Sequence, residues 1–512
     1  MKITLISTST FPSDQGIRTI SSVLKKAGHR VNLVFMTLSE DYSRNYTLSE
    51  LNQLARIAKG SSLIGVSSFA STSKRADRIL LFLKNKLKVP VIHGGVHATI
   101  SPDKCIENAD IVCVGEGEGA ILDLVNSLEN HKSIDKIKNL WIKKSNTEII
   151  KNPVRDLIDD IDSLPFPDFD TESHFVLEKG KIRRFEEKDL AGQIFFLTGR
   201  GCPYGCDYCS NRFFNDLYEG KRKKILRWHS PEYIIKGILY MKTKFPNLGY
   251  FDIRDDTFSL RPLADIKKFC DLYTEKVNMR FKCLADPHTV SDDKINLLVN
   301  AGCTDIIVGI QGSERTNLEV YHRNQRDEDV LKCAKILNKY KSKLAVMYDV
   351  ITCNPYETPA DIVNLMRLLQ KLPKPYYLSV NNLVFFTGSK LYQRAKQDNI
   401  IKDEKDSASQ LNYWDRSKHI LLKGRNIYLN LIFNLMRGPV TDFRFGIMPN
   451  FFLNFLLQSE RVKKYSKNQF LPKLATQILY VFDVIRERIL KPAYRSLPVS
   501  FKIWYDKIRY HV

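Results

Sequence analysis

The stretch Gly201-Cys-Pro-Tyr-Gly-Cys-Asp-Tyr-Cys-Ser210 sets Cys202, Cys206 and Cys209 in the spacing Cys-x3-Cys-x2-Cys. Thiolates are the ligands that iron–sulfur clusters take. Three of them on one short loop can wrap one face of a 4Fe–4S cubane, and the fourth iron then stays open. Gly201 and Gly205 let the loop curl, and Pro203 stiffens it. A structural zinc site commonly uses four ligands in paired Cys-x2-Cys units. No second pair is present, and the nearest histidine is His229. A catalytic dithiol needs only Cys206 and Cys209 and leaves Cys202 without a role.

Outward from this loop the chain reads as α/β. Ile194–Thr198 is the apolar strand before the cysteines. Tyr250–Arg254, Arg280–Leu284, Asp305–Ile310, Ala345–Ile351 and Leu378–Phe385 follow, separated by helical stretches. Six such units over 189–405 predict a partial (β/α)6 barrel with its chemistry at the C-terminal rim. Upstream, over 1–135, Ile3–Ser7, Val31–Phe35, Leu63–Ser67, Val91–His93 and Ile111–Val114 alternate with helices, which predicts a doubly wound, Rossmann-like parallel sheet. Ligands of such sheets settle at the carboxyl ends of the strands. Those ends carry Ser67-Ser68, Gly94-Gly95 and Gly115-Glu116; tight strand-to-helix turns are the competing explanation. Residues 136–188, with two prolines in Asp159–Asp170, read as a linker. After 406 the strand rhythm stops, and Ile427–Met436 and Leu471–Leu490 predict a helical extension.

The formal net charge is +22, and from Leu411 to Val512 there are 18 Lys and Arg against 6 Asp and Glu. Such a surface favours anionic partners: nucleic acid, acidic lipid or a phosphorylated substrate. A membrane-surface protein or a nucleic-acid binder with a structural metal therefore stands as an alternative class. The short apolar N-terminus reads as a first strand rather than a leader, and no run is long enough to span a bilayer. Ten cysteines in this setting point to the reducing cytoplasm rather than a disulfide framework.

The cysteine spacing, with aromatic Tyr208 before the third cysteine, resembles the radical S-adenosylmethionine (radical SAM) superfamily. Asp255-Asp-Thr-Phe258, Gly309-Ile-Gln-Gly-Ser-Glu314, Asn354-Pro-Tyr-Glu-Thr358 and Phe386-Thr-Gly-Ser-Lys-Leu-Tyr392 follow in order. With His93-Gly-Gly-Val-His-Ala-Thr99 and Val114-Gly-Glu-Gly-Glu118 they resemble the subfamily carrying an N-terminal cobalamin (B12)-binding domain. The resemblance implies a 4Fe–4S cluster on the three cysteines and SAM on its open iron. It puts Tyr208 near the adenine, Asp255 and Asp256 in the methionine-binding segment, and Gln311 and Ser313 along the SAM pocket. It gives cobalamin to Ser67, Ser68, Gly94, Gly95, Gly115 and Glu116. For Asp255-Asp256 a helix N-cap is the bland alternative, and for Asn354–Thr358 a proline turn feeding a capped helix is the preferred reading.

Many cobalamin proteins carry Asp-x-His-x-x-Gly after the first strand. Here the loop is Thr10-Phe-Pro-Ser-Asp-Gln-Gly16, so no histidine is nominated for cobalt, and His93 and His97 read as surface or turn residues. The implied reaction is methylation of an unactivated carbon. Cyclisation, rearrangement or oxidation without methyl transfer is the runner-up. The implied partner is a one-electron reductant such as flavodoxin or ferredoxin; the basic C-terminal charge, with the aromatic residues around Phe451–Leu457, adds an anionic membrane surface as a further candidate partner, and nucleic acid is not expected.

Overall fold

The computed structural model describes residues 1–38, 44–220, 225–401, 426–437 and 450–485. The chain divides into two compact units. The first holds 1–310, 315–346 and 384–414, and the second the remaining segments.

The N-terminal sheet contains β1 (Lys2–Ser7), β2 (Arg30–Phe35), β3 (Leu63–Ser67), β4 (Val91–Gly94), β5 (Ile111–Cys113), β6 (Leu140–Lys143), β7 (Ile149–Lys151), β8 (His174–Glu178) and β9 (Lys181–Arg184). Their order is β7-β6-β5-β4-β3-β1-β2-β8-β9. β5 through β8 run parallel in that order, and the outer pairs are antiparallel. Ile3, Leu33, Leu63 and Val91 are wholly buried, as expected of parallel strands covered on both faces.

Residues 136–188 differ from the expected linker, because they supply β6 and β7 at one edge and β8 and β9 at the other. These strands are short and half-polar, so hydrophobic runs do not betray them. A local signal does exist: Lys179 and Gly180 have φ of 47° and 81°, the primed turn that matches strand twist in a hairpin.

The second sheet begins with β10 (Gln193–Phe196), β13 (Tyr250–Ile253), β14 (Arg280–Ala285) and β15 (Cys303–Gln311), paired in parallel in that order. A small antiparallel pair, β11 (Gly199–Arg200) and β12 (Arg227–Trp228), follows β10 in the chain. Phe251 and Phe281 face the helix Leu263–Lys276, where Tyr273 and Phe269 pack on them. In the second unit β16 (Ala345–Thr352) and β17 (Tyr377–Asn382) pair in parallel from Met347 onward. Thr358 and Asp361 form a capping box ahead of the helix Pro359–Lys371, the turn-and-cap arrangement preferred for that motif. The C-terminal segment is helical at Ile427–Arg437, Asn450–Leu456, Ser459–Lys467 and Phe470–Ile485; 486–490 of the expected last helix lie outside the described residues. No helix among the described residues is long and apolar enough to cross a membrane.

One buried cation organises the entry to the N-terminal strand ends. Arg18, wholly buried on the helix Gln15–Lys26, donates to Pro12 O (2.6 and 3.1 Å) and Asp168 O (2.6 Å). Its guanidinium lies 4.3 to 5.1 Å from the ring centroids of Phe35, Phe169 and Phe185. Asp168 in turn accepts from Ser21 (2.6 Å) and pairs with Lys25 (2.8 Å) and His174 (3.0 Å). The loop after β1 is thereby tied to the 136–188 segment. Breaking a buried charge network costs several kcal/mol. Arg18→Met is expected to lower stability by about 3 kcal/mol, seen as a lower urea midpoint, whereas exposed Lys188→Met leaves the midpoint within error.

Candidate active site

The carboxyl ends of β3, β4 and β5 open onto a cavity of about 460 Å³ that is also lined by the β11–β12 pair and by the helix Ser210–Leu217. Ser67, Gly94, Gly95, Gly115 and Glu116 border it on one side. Gly199, Arg200, Gly201, Asn211, Tyr218 and Asp256 border it on the other. Glycine is required at three of these places, one of them Gly115 (φ 86°), where a Cβ would collide with Tyr218 Oη. At Gly95 (φ 90°) a Cβ would stand 2.7 Å from Ser67 Oγ, and at Gly201 (φ 88°) only 2.3 Å from Ile225 O. At Gly94 a Cβ would meet only Cys113 Cβ at 4.0 Å, an ordinary contact, so no clash demands glycine there. Ser68 departs from expectation. It is buried away from the cavity with its hydroxyl 2.8 Å from His93 Nε2.

The cysteine loop lies between Gly201 and the helix Ser210–Leu217. Asn215 Nδ2 donates to Cys202 O (3.1 Å) and Tyr204 O (3.3 Å), and Cys209 N to Cys206 O (3.0 Å), so the loop is held by its own helix. Cys202 and Cys206 are buried, Cys209 half-buried, and none is in a disulfide. Burial pushes the Cys202 and Cys209 thiols up to about 12. It also raises Cys206, although Arg323 beside it works the other way. Three thiols from one loop, one of them next to a cation, suit a cluster whose iron would displace their protons.

Arg323 was not singled out from sequence, since nothing local marks it. It donates to Tyr208 Oη (3.2 Å), Asp286 Oδ2 (2.5 Å) and Gly309 O (3.0 Å). Tyr208 also packs edge-on against Tyr321 at 4.7 Å between centroids, so ring and hydroxyl are both fixed. The Asp255-Asp256 pair splits in role. Asp255 is buried and accepts from Thr198 N (2.5 Å), Thr198 Oγ1 (2.5 Å) and Gly199 N (3.1 Å). It braces the turn ahead of the cysteines. Asp256 alone of the two borders the cavity. Gln311, with φ of 67°, and buried Ser313, 3.3 Å from Asp361 Oδ1, belong to the second unit.

Two family models match this arrangement. Residues 1–125 match the B12 binding domain, and residues 196–369 the radical SAM superfamily. The chain is a radical SAM protein with a B12-binding domain. The uncharacterized methyltransferase PH0819 of Pyrococcus horikoshii is 25% identical over 346 residues, 66% of this chain and 70% of that one. Bacteriochlorophyllide d C-8(2)-methyltransferase of Chlorobaculum tepidum is 21% identical, covering 67% and 70%. Anaerobic magnesium-protoporphyrin IX monomethyl ester cyclase of Synechocystis is 22% identical, covering 65% and 64%. Among solved structures, the radical SAM methyltransferase TsrM of Kitasatospora setae aligns with a TM-score of 0.62 at 14% identity, over 77% and 76% of the two chains. The cobalamin-dependent SAM radical enzyme OxsB aligns at 0.62 and 15%, over 93% and 72%.

In this radical SAM protein the loop Thr10–Gly16 makes contact through Gln15. Its side-chain amide pairs with Leu197 N (2.6 Å) and Leu197 O (3.2 Å), joining the loop after β1 to the end of β10. His93 and His97 are not surface residues. Both are buried and neither borders the cavity. Burial, with His97 nearby, lowers His93 to about 3; burial, with Lys104 nearby, lowers His97 to about 4. His229 does border the cavity, with Nδ1 2.8 Å from Asp162 Oδ1 and its ring stacked on Tyr233; burial lowers it to about 4, so it is neutral.

Two predictions follow from these shifts. His93 and His97 take protons in the unfolded chain from about 6.5, the ordinary value, but not when folded. Their contribution to stability is whole above that pH, is lost progressively as pH falls from about 6.5, and is gone once pH has passed through 4 and 3. The melting temperature is expected to fall over that interval, and His97→Gln should shrink the fall. Before cluster loading, Cys202 and Cys209 should alkylate at least ~10-fold more slowly than a free thiol at about pH 8 and accelerate with rising pH. Peptide mapping after iodoacetamide measures this.

Proposed function

We propose that this radical SAM protein is a cobalamin-dependent methyltransferase that places a methyl group on an unactivated carbon. One observation carries the reading: the glycine-rich strand ends of the B12-binding sheet and the flanks of the cysteine loop border a single cavity. A shared space is what methyl transfer between two cofactors needs.

Cys202, Cys206 and Cys209 would hold the 4Fe–4S cluster, and Ser67, Gly94, Gly95 and Gly115 would receive cobalamin against bare backbone. Tyr208 and Asp256 would contact SAM, and the motif resemblance adds Gln311 and Ser313. When bound, the cluster supplies the single electron that splits SAM, and cobalamin carries the methyl group. The chain's own residues hold these groups still: Arg323 fixes Tyr208, and Asp255 fixes the turn from which the cysteine loop departs.

We assign 1–135 to cobalamin, 189–405 to the radical SAM core and 406–512 to a C-terminal extension. Radical SAM enzymes draw electrons from an external donor, for which flavodoxin or ferredoxin is the proposal here. The ten unpaired cysteines support a reducing, cytoplasmic setting. The cyclase relative favours a second reading, radical chemistry without methyl transfer.

The test is anaerobic reconstitution with iron, sulfide and cobalamin, then SAM and dithionite. Wild type is expected to form both 5′-deoxyadenosine, from radical cleavage, and S-adenosylhomocysteine, from methyl donation. The Cys202→Ala/Cys206→Ala/Cys209→Ala variant should form no deoxyadenosine. Deoxyadenosine without S-adenosylhomocysteine, whether or not cobalamin is present, would select the second reading.

A further inference from the structure

We infer that Glu116, Glu118, Arg200 and Arg227 form a positioning interlock that sets the cobalamin-binding loop against the cluster loop. The inference rests on the methyltransferase reading above and deepens it.

Glu116 borders the cavity, yet its carboxylate is already taken. Oε1 accepts from Arg200 Nη1 (3.0 Å) and Arg227 Nη2 (2.8 Å), and Oε2 from Arg227 Nη1 (3.1 Å) and Ile158 N (3.1 Å). Arg200 spans to Glu118 Oε1 with Nη2 at 2.6 Å. Arg227 Nη1 also donates to Ile158 O (2.6 Å), so the 136–188 segment is drawn in. The side chains of Arg227 and Glu118 are 7% and 8% exposed, which removes the screening that makes surface ion pairs weak. The loop's backbone is engaged too: Glu116 N donates to Tyr218 Oη (3.1 Å), Gly115 N to Thr99 Oγ1 (3.1 Å), and Glu116 O accepts from Asn139 (3.2 Å). Both carboxylate oxygens of Glu116 are therefore already engaged by two donors each.

Position along the chain gives these contacts their meaning. Arg200 stands two residues before Cys202, and Tyr218 directly follows the helix that starts after Cys209. The cysteines are thus bracketed by two residues that grip the Gly115–Glu118 turn. Arg200 and Arg227 are also direct cross-strand partners on β11 and β12. Like charges placed opposite each other repel. The strand pair tolerates them because two carboxylates compensate, so β11–β12 is arranged to receive those acids. Bidentate arginine–carboxylate pairs contribute directional geometry more than stability. Methyl transfer needs such geometry, since a misplacement of about 1 Å can cost ~100-fold in rate.

The test uses full-length protein loaded with cluster and cobalamin, as wild type, Glu116→Gln, Arg227→Lys and Glu118→Gln. Pulsed EPR of the reduced cluster and cob(II)alamin reads the spacing between the two spins without any turnover. Wild type should give one narrow distance. Glu116→Gln should broaden it while retaining cobalamin, cut S-adenosylhomocysteine formation by ~100-fold and leave deoxyadenosine within about twofold. Arg227→Lys, which keeps charge but loses the fork, should fall between. If Glu116→Gln fails to fold, Glu118→Gln carries the same reading in milder form. An unchanged narrow distance in every folded variant overturns the interlock. So does loss of cobalamin from folded Glu116→Gln, which would make Glu116 a cofactor ligand instead. A wild type with a narrow distance that forms no S-adenosylhomocysteine refutes the methyltransferase reading alone, because the variants' distances still judge the interlock.

Discussion

The carboxylate of Asp255 holds the turn on which the site is built. It takes three donors from Thr198 and Gly199, and Arg261 reinforces it by donating to Thr198 O (2.6 Å) and His229 O (3.1 Å). A buried carboxylate is tolerated only when hydrogen-bonded in this way. Because the turn is fixed, β11 leaves it in one direction, Gly201 passes under Ile225 O at a distance no side chain allows, and Cys202 begins the cysteine loop shortly after the carboxyl end of the first barrel strand. Moving that turn would move every thiol with it.

Buried arginines then do much of the joining between segments distant in sequence. Arg18 ties the loop after β1 to residue 168, Arg227 ties β12 to the Gly115–Glu118 turn, and Arg323 ties the region after β15 to Tyr208 in the cysteine loop. A guanidinium offers five donors in a rigid plane, so one side chain satisfies several otherwise orphaned carbonyls at once. Loops, which carry most of this site, cannot hold themselves by ladders of backbone hydrogen bonds. They are held here by these forks instead.

Several parts were readable in sequence for a definite reason. The central parallel strands of the N-terminal sheet announce themselves as apolar runs because both of their faces are covered, and those of the second sheet as alternating buried and half-buried residues. The cysteine spacing announces a cluster because the ligands are local. Other parts were not readable. β6 to β9 are short strands in the outermost pairs of the sheet, with β7 and β9 at its edges and many polar residues among them, so the stretch reads as a linker. Ser68 and Ser67 are neighbours with the same side chain, yet one hydroxyl turns to His93 while the other borders the cavity. Asp255 and Asp256 divide in the same way. His93 and His97 look like turn histidines beside glycines, and only the packing of the sheet buries them.

What the chain determines by itself is therefore whatever depends on near neighbours: strand and helix runs, the capped turn at Thr358, the glycine positions, and three thiols on one loop. The tertiary structure decided which of the carboxylates and hydroxyls are free. A polar group's role depends on the donors that surround it. Here those donors arrive from 57, 84 and 111 residues away, as in the pairs Thr198–Asp255, Arg200–Glu116 and Arg227–Glu116. No local pattern encodes such meetings, because the fold alone brings the partners within reach.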